Sequence, residues 1–480
     1  MVIDIVLIQA AGRGGLENVL TIISNELIKR GHRVRVIQEL EPIYSEWKDT
    51  MKEFYVLDSS MATEEVNLED IAYKYKEFIE KEGKPDVILA THVPLMPYVC
   101  CRALVLSGLV GTIPIISWIH GSLFCYGGDK DGMLSFADAH FAISSQIKAE
   151  LEKLNQNKPI YLVNNPVNFG GKLIERDEEK LNIMYLGRLS PEKDVSTLLQ
   201  ALEGLNGKWE LNVYGDGVDR EGLSLMAKDL AIDNNIRWHG WIDNAWESVE
   251  KADLLVLPSQ YEGFPLVVLE ALSKGIPVAA TKTSGVLSCI EEGVNGWLFD
   301  IGDYNQLGEI LNRIQSDKSI LPSREVCIES VEKYSVKNIT DNFENCILKV
   351  YKRKKDSIKI NCIINDIKND KDLSDNLKSL NNIDIEQVRT EVLKYASTEN
   401  ISVLNKIAIM NYNSENYDYV FPYLQIAYEM DNSNEETLYN LAVLLYNVKE
   451  YEMALGYLKG IKNKYIEVLE LENLINEEIK

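Results

Sequence analysis

The sequence of 480 residues has little that points to disulfides, structural zinc or nucleic acid. Its seven cysteines are an odd number without a Cys-x-x-Cys pair, which predicts a reduced protein rather than a disulfide framework or zinc site. Lys and Arg number 50 against 74 Asp and Glu, giving a formal charge of −24. Nonspecific nucleic-acid binding requires a basic face, so the composition argues against a nucleic-acid partner.

Long uninterrupted apolar runs are also missing. The longest apolar stretch, residues 103–119, is broken by Gly108, Gly111 and Pro114, and is too short to span a bilayer. The chain enters a strand-like run at residues 2–8 with no basic region and cleavage site before it, so we expect no signal peptide. These features predict a cytoplasmic protein and leave open a peripheral position at the inner face of the membrane.

What the sequence does contain is an alternation of short apolar runs and amphipathic segments, which restarts after Pro166. The strand-like runs are residues 3–8, 33–37, 86–92, 113–121 and 139–144, then 181–189, 209–217, 235–241, 252–259 and 276–281. Strands alternating with helices of about a dozen residues indicate βαβ units and parallel sheets. The predicted fold class is therefore α/β, with two Rossmann-like, doubly wound domains facing a ligand cleft.

The boundaries follow from this pattern and from composition. We predict an N-terminal domain over residues 1–165, a second domain over 166–335, and a closing helix over 336–352. A polar stretch rich in Lys, Asp and Asn, residues 353–384, is interpreted as a linker, and residues 385–480 as a helical repeat tail.

The tail contains an internal repeat with a period of 34 residues. Leu404, Ile407, Ala408, Tyr417, Leu424 and Ala427 recur as Leu438, Leu441, Ala442, Tyr451, Leu458 and Ile461. This period resembles the tetratricopeptide repeat, a helix–turn–helix unit. Two units are few for a free-standing solenoid, so we expect an apolar stripe of Leu438, Leu441, Leu445 and Leu458 to mediate self-association or hold a protein partner. A strut that buttresses the second domain is the alternative.

The segment richest in chemistry is residues 259–278. Glu262 follows a buried strand, and Gly263-Phe264-Pro265 leads into a helix that contains Glu270. The backbone N–H groups of Gly263, Phe264 and Leu266 are predicted to gather at the helix N-terminus, where the helix dipole favours a phosphate. A capped helix with two solvated glutamates is the bland alternative, but the helix face around Glu270 is almost uncharged.

Glu262-Gly-Phe-Pro-x4-Glu270 resembles the E-x7-E motif of family 4 retaining glycosyltransferases, which have the GT-B fold. Four more segments resemble parts of that family. Residues 12–17 resemble its N-terminal glycine loop and residues 117–121 its acceptor-side histidine strand. Residues 164–167 resemble its interdomain turn and residues 187–193 its diphosphate-binding segment. The similarity covers roughly residues 1–350. Within the family it is greatest to lipopolysaccharide-core galactosyltransferases.

The resemblance implies roles for single residues. Arg188 and Lys193 would bind the donor diphosphate in place of a metal, and Glu270 the ribose hydroxyls. Glu262 and His120 would contact the transferred sugar at the reacting centre. Gly14 and Gly15 would let the backbone approach the donor phosphate, since a side chain at Gly15 would clash with the donor. No metal and no cofactor besides the nucleotide-sugar substrate is expected.

The resulting hypothesis is a retaining glycosyltransferase that moves a hexose, from UDP-galactose or UDP-glucose, onto a surface-glycan, lipid-linked or protein acceptor. The alternative is a catalytically silent interaction protein on a glycosyltransferase core. Three features stay ambiguous. Gly215-Asp216-Gly217 fits a tight turn as well as a nucleotide pocket, and Asp129-Lys130-Asp131 fits a solvated turn better than a metal site. Trp241 and Trp246 could pack in the core or contact the nucleotide base.

Overall fold

The computed structural model describes residues 1–58, 67–154, 157–368, 380–393 and 398–479. The chain divides into two compact units, Met1–Tyr351 and Lys352–Lys480, which are treated separately. The first unit contains two parallel sheets and the second is helical. No helix among these described residues is both long and apolar enough to cross a membrane.

The first sheet has seven parallel strands in the order β3-β2-β1-β4-β5-β6-β7. They are β1 (Val2–Leu7), β2 (Arg33–Gln38), β3 (Phe54–Val56), β4 (Val87–His92), β5 (Ile115–Ile119), β6 (Ala139–Ala142) and β7 (Ile160–Leu162). The connecting helices are α1 (Gly15–Lys29), α2 (Leu68–Glu82), α3 (Met96–Leu106) and α4 (Ser145–Lys153). The strand order reverses between β1 and β4, so the loop after β1 opens at a switch point.

The second sheet has six parallel strands in the order β10-β9-β8-β11-β12-β13. They are β8 (Leu181–Leu186), β9 (Trp209–Tyr214), β10 (Ile236–Gly240), β11 (Leu254–Leu257), β12 (Val278–Thr281) and β13 (Gly296–Phe299). The helices are α5 (Val195–Glu203), α6 (Arg220–Asp229), α7 (Ala245–Ser248), α8 (Leu266–Ser273), α9 (Tyr304–Ser316) and α10 (Arg324–Val331). The switch point lies between β8 and β11. The prediction of two Rossmann-like domains is confirmed.

The two segments that connect the sheets run side by side. Val167 forms an isolated bridge with Ser335, and its N–H donates to the Tyr334 carbonyl at 2.8 Å. Helix α11 (Val336–Lys368) then begins. Its Phe343 packs edge-on against Phe141 of the first sheet and beside Trp118, with ring centroids 5.1 and 4.8 Å apart. The start of α11 therefore belongs to the core of the first domain.

Helix α11 does not end at Lys352 as expected, but continues to Lys368 through much of the stretch interpreted as a linker. The physical reason is a set of three isoleucines at helical spacing, Ile360, Ile363 and Ile364, which the polar composition conceals. All three are buried in the core of the second unit. Residues 369–379 of the expected linker lie outside the described residues.

The remaining helices of the second unit are α12 (Ile385–Leu393), α13 (Thr398–Asn413), α14 (Val420–Met430), α15 (Glu435–Asn447), α16 (Tyr451–Lys459) and α17 (Ile466–Ile479). The C-terminal helical region is thus present, and its assignment as tetratricopeptide repeats stays a prediction.

The prediction that the apolar stripe on this tail is a docking surface is wrong. Leu438, Leu441, Leu445 and Leu458 are all buried within the second unit, the most exposed of them at 8%. The expectation assumed two hairpins with too few partners. Helix α17, which the repeat did not include, supplies Val468, Leu471 and Ile475 to a core shared with Leu438, Leu445 and Leu458, while Leu441 is buried in the unit's other core cluster.

Candidate active site

Loops at the carboxyl ends of the strands from both sheets meet at one cleft. In open parallel sheets ligands bind at such edges, outside the switch point. Here the loops after β1 and β5 come from the first domain, and the loops after β8 and β11 from the second. They carry the residues singled out by sequence.

Glu262 is held by two donors in the second domain. The Lys193 ammonium lies 2.7 Å from its Oε1, and the Ser259 hydroxyl donates to the same oxygen at 2.7 Å. The two loops are joined again where the Gln260 N–H donates to the Glu192 carbonyl at 2.9 Å. The structure therefore brings together the predicted sugar-binding carboxylate and the predicted phosphate-binding cation. Sequence reasoning missed Ser259, three residues before Glu262.

Arg188 lies on the same loop as Lys193, with an exposed side chain. Its backbone is braced by the Gly215-Asp216-Gly217 turn. The Leu189 N–H donates to the Asp216 carbonyl at 3.0 Å, and a Cβ on Gly215 would lie 1.9 Å from the Gly187 carbonyl oxygen. The tight packing of this turn fixes the backbone position from which the Arg188 side chain extends.

Glu270 lies on α8, half-buried, with both carboxylate oxygens engaged. The Trp246 indole N–H donates to Oε2 at 2.8 Å, and the Asn18 side-chain amide of the first domain donates to Oε1 at 3.4 Å. Burial raises the pKa of Glu270, and the hydrogen bond from Trp246 opposes that rise. Trp246 thus orients the carboxylate. Asn18 had no spacing signal in the sequence.

Helix α8 begins at Leu266 without a side-chain cap, so its first N–H groups are left to water or a ligand. The Phe264 ring itself is buried and stands edge-on to Tyr334, so only the backbone of Phe264 can meet a ligand. Gly263 touches the first domain. A Cβ on Gly263 would lie 2.8 Å from the His120 carbonyl oxygen, which makes this the point where the two predicted halves of the site meet.

The glycine loop of the first domain lies opposite α8. Gly12, with a φ of 101°, leaves no room for a Cβ, which would lie 2.3 Å from the Tyr44 carbonyl oxygen, and its N–H donates to Glu17 at 3.0 Å. Gly15 differs. A Cβ there would make only an ordinary contact, 3.5 Å from Leu266. The protein itself therefore tolerates a methyl group at Gly15, and any clash would have to come from a bound ligand.

His120 follows β5, and its Nε2 atom is buried without a hydrogen-bond partner among the described residues. Burial lowers the pKa of His120 from 6.5 to about 3, and the nearby His92 acts in the same direction. The imidazole is therefore neutral at physiological pH, and suited to hydrogen bonding with a hydroxyl rather than to carrying charge.

His92, at the end of β4, is a residue that sequence reasoning missed. Its Nδ1 is also buried without a partner among the described atoms, its φ is 81°, and burial lowers its pKa against the opposing charge of Glu17. The strand-end position that singled out His120 applies equally to His92, so the same argument would have found it.

The structure also shows the contacts of Asp129 and Trp241, two of the residues that the sequence left ambiguous. The Asp129 carboxylate accepts the Leu134 N–H at 3.0 Å, as expected of a turn. Trp241 is 45% exposed and contacts Arg13 of the glycine loop, whose guanidinium carbon lies 5.2 Å from the Trp241 ring and 3.9 Å from that of Tyr44. Arg13 therefore links the first domain to the second across the cleft.

Family models match most of the first unit. Residues 13–170 match the model described as Glycosyltransferase Family 4, and residues 172–334 the model described as Glycosyl transferases group 1. The lipopolysaccharide 1,6-galactosyltransferase of Escherichia coli (strain K12) is 32% identical over 287 residues, 57% of this chain and 78% of that protein. The poly(glycerol-phosphate) alpha-glucosyltransferase of Bacillus subtilis is 28% identical over 34% of this chain and 25% of its own length.

Solved structures give the same result. The apo form of the lipopolysaccharide outer core galactosyltransferase WaaB superposes with a TM-score of 0.63 at 25% identity, covering 73% of this chain and 99% of that one. The HepE protein of Anabaena, solved with UDP and glucose, superposes with a TM-score of 0.61 at 18% identity, over 73% of this chain and all of that one. The chain belongs to the family 4 glycosyltransferases and has their GT-B fold.

Proposed function

We propose that this protein transfers a hexose, with galactose the favoured sugar, from its UDP donor to a hydroxyl of a lipopolysaccharide-core type glycan. The transfer retains the anomeric configuration and uses no divalent metal. The observation that carries the proposal is the Lys193–Glu262 pair, 2.7 Å apart beside the uncapped start of α8. One cation there serves both the departing diphosphate and the carboxylate that grips the sugar.

The chemistry follows from what each side chain is able to do. Lys193, Arg188 and the first N–H groups of α8 stabilise the negative charge that develops on the leaving diphosphate. Glu262 accepts hydrogen bonds from hydroxyls of the transferred sugar, and Glu270, held by Trp246, accepts them from the ribose. The neutral His120 donates or accepts a hydrogen bond near the anomeric carbon. The leaving phosphate takes the acceptor's proton on the same face, which gives retention.

The sugar and the acceptor rest on the relatives. Two of them are named lipopolysaccharide 1,6-galactosyltransferases, and HepE was solved with UDP and glucose. A glycolipid acceptor would require the enzyme to reach the inner face of the membrane, the peripheral position that the sequence left open.

The experiment measures UDP release from UDP-galactose, UDP-glucose and UDP-N-acetylglucosamine, with and without core oligosaccharide, before and after EDTA. We expect UDP-galactose to be preferred and EDTA to have no effect, and the product's anomeric proton coupling in NMR spectra to match that of the donor. Loss of activity with EDTA that magnesium or manganese restores would contradict the metal-free mechanism. No UDP release from any donor would favour the silent interaction protein.

A further inference from the structure

The turn that follows His120 displays an aromatic ring to solvent. Phe124 is 89% exposed, although it lies only four residues beyond the histidine. A large apolar side chain so fully exposed on a short, ordered turn forgoes the free energy of burial, of about 1.5–3 kcal/mol. Single exposed apolar residues are common, so position decides whether this one has a function.

The turn is built to hold its shape. The Glu150 carboxylate accepts from the Ser122 hydroxyl at 2.9 Å and from the Leu123 N–H at 2.7 Å, and the Phe124 N–H donates to the Ser122 oxygen at 3.2 Å. The Gln146 amide also donates to Glu150, at 2.7 Å. Phe124 therefore projects from a fixed backbone and is not on a flexible loop.

The same turn borders the reacting centre. The Tyr126 ring lies against the backbone of Gly121, so close that a Cβ there would be 2.9 Å from the phenol oxygen. From the second domain, Tyr261 stands directly before Glu262 and is 52% exposed. The two loops touch, because a Cβ on Gly263, two residues after Tyr261, would lie 3.4 Å from the Gly121 Cα.

We propose that Phe124, with Tyr261 on the adjoining loop of the second domain, forms an aromatic platform for an uncharged hexopyranose ring of the acceptor. A sugar ring has an apolar C–H face that lies flat on an aromatic ring, and hydroxyls at its rim. A ring on this platform presents a rim hydroxyl toward the sugar held by Glu262 and His120. The inference rests on the proposed function and deepens it by naming the acceptor's contact residue and its charge class.

Charge decides between a sugar and a membrane as the occupant. Acidic residues outnumber basic ones here: Glu150 binds the turn, Glu192 and Arg188 lie near Tyr261, and Asp129, Lys130 and Asp131 follow the turn in sequence. Acidic groups repel anionic lipid headgroups and the phosphorylated or acidic sugars of a glycan. A neutral hexose is the ligand that suits both the ring and its neighbours.

The test compares the wild type with Phe124→Ala, Phe124→Leu and Phe124→Tyr, using UDP-galactose and a deacylated, dephosphorylated core oligosaccharide. Phe421→Ala is the matched control, because Phe421 is also exposed but lies on α14 of the second unit. We expect the acceptor KM to rise about three- to tenfold in the alanine and leucine variants, with tyrosine close to the wild type. Donor KM moves less than acceptor KM.

The leucine variant separates the alternatives. If leucine behaves as wild type and the alanine variant fails only with acceptor embedded in anionic vesicles, Phe124 contacts lipid and the platform is wrong. Equal acceptor KM for the wild type and Phe124→Ala also overturns it, while leaving the proposed transfer intact. Absence of UDP release from the wild type would instead be a failure of the proposed function. In that case, the binding of the wild type and of Phe124→Ala to a carbohydrate array still tests the platform. Equal binding of the two proteins to neutral hexoses overturns it.

Discussion

The two domains contribute to one cleft but prepare it differently. On the second-domain side, the two carboxylates already have partners: Glu262 is paired with Lys193, and Glu270 is held by Trp246. On the first-domain side, His92 and His120 each bury a ring nitrogen that has no partner among the described residues. The two carboxylates are therefore oriented without a ligand, whereas each histidine leaves one ring nitrogen available to a ligand.

This difference has an energetic meaning. A buried polar atom left unsatisfied costs about 1–3 kcal/mol, and folded proteins keep few of them. Two such atoms at the ends of adjacent strands are explained if hydroxyl groups of a sugar supply the missing hydrogen bonds. Substitutions on the second-domain side should therefore disturb a prearranged charge network, and substitutions on the first-domain side should disturb contacts made only in the complex.

The largest effect is expected from Lys193→Ala. It removes a cation for the leaving diphosphate and leaves the Glu262 charge with Ser259 alone, so kcat/KM should fall by about three orders of magnitude. Steady-state UDP release measures it. Lys251→Ala is the control, since Lys251 pairs with Asp177 elsewhere in the same domain. A decrease of less than about tenfold would show that the second-domain side does not depend on this pair.

The two glutamates should separate kinetically. Glu262→Ala is expected to lower kcat and Glu270→Ala to raise the donor KM, because we propose that one carboxylate binds the reacting sugar and the other the ribose. Each change should correspond to a loss of about 2–3 kcal/mol of binding free energy. Initial-rate kinetics over a range of donor concentrations distinguish the two. Identical kinetic defects in both variants would mean that the carboxylates act as one site.

Gly15→Ala tests the cleft from the first-domain side. The structure leaves room for the methyl group, and α1 begins at Gly15, so stability should be unchanged or rise by up to about 1 kcal/mol. The donor KM should nevertheless rise about tenfold if the donor phosphate approaches this backbone. Gly222→Ala, in α6 with open space around its Cβ position, is the control for helix stability. Unchanged donor binding would remove Gly15 from the site.

The remaining prediction concerns how stability, rather than activity, depends on pH. The unfolded chain protonates His120 near pH 6.5, whereas in the fold its pKa is about 3. Between these values the unfolded state binds more protons, so the free energy of unfolding falls as the pH falls, by up to about 1.4 kcal/mol per pH unit. Urea unfolding of the wild type and His120→Gln should diverge from pH 6.5 to about pH 5. Parallel curves would show that the ring is not buried neutral.

The sequence predicted the layered fold well because buried parallel strands have a distinctive apolar pattern. It missed β3, β7 and β13, which lie at the edges of their sheets, and the continuation of α11 beyond Lys352. In α11 the three isoleucines were hidden among lysines and aspartates. Local composition was a poor guide there, because the helix depends on contacts with residues distant in sequence such as Val388 and Leu404.

At the site, the sequence predicted the residues of contiguous motifs. It missed residues that are distant in sequence and contact those motifs in the fold. Glu262 and Glu270 were found by their spacing in one segment. Two residues contact the Glu270 carboxylate only because of the fold: Trp246, whose role the sequence left open, and Asn18, which is 252 residues away from Glu270. No spacing rule links Asn18 to Glu270, since the contact exists because α1 and α8 face each other across the cleft.

The close packing of the Gly215-Asp216-Gly217 turn has a consequence for sequence variation. A Cβ on Gly217 would lie 2.1 Å from the Leu189 carbonyl oxygen, as severe an overlap as the one at Gly215. Even alanine is therefore excluded at both positions, whatever the donor sugar is. Relatives that use other donors should retain both glycines, and their invariance would reflect the support of the Arg188 loop rather than contact with a nucleotide.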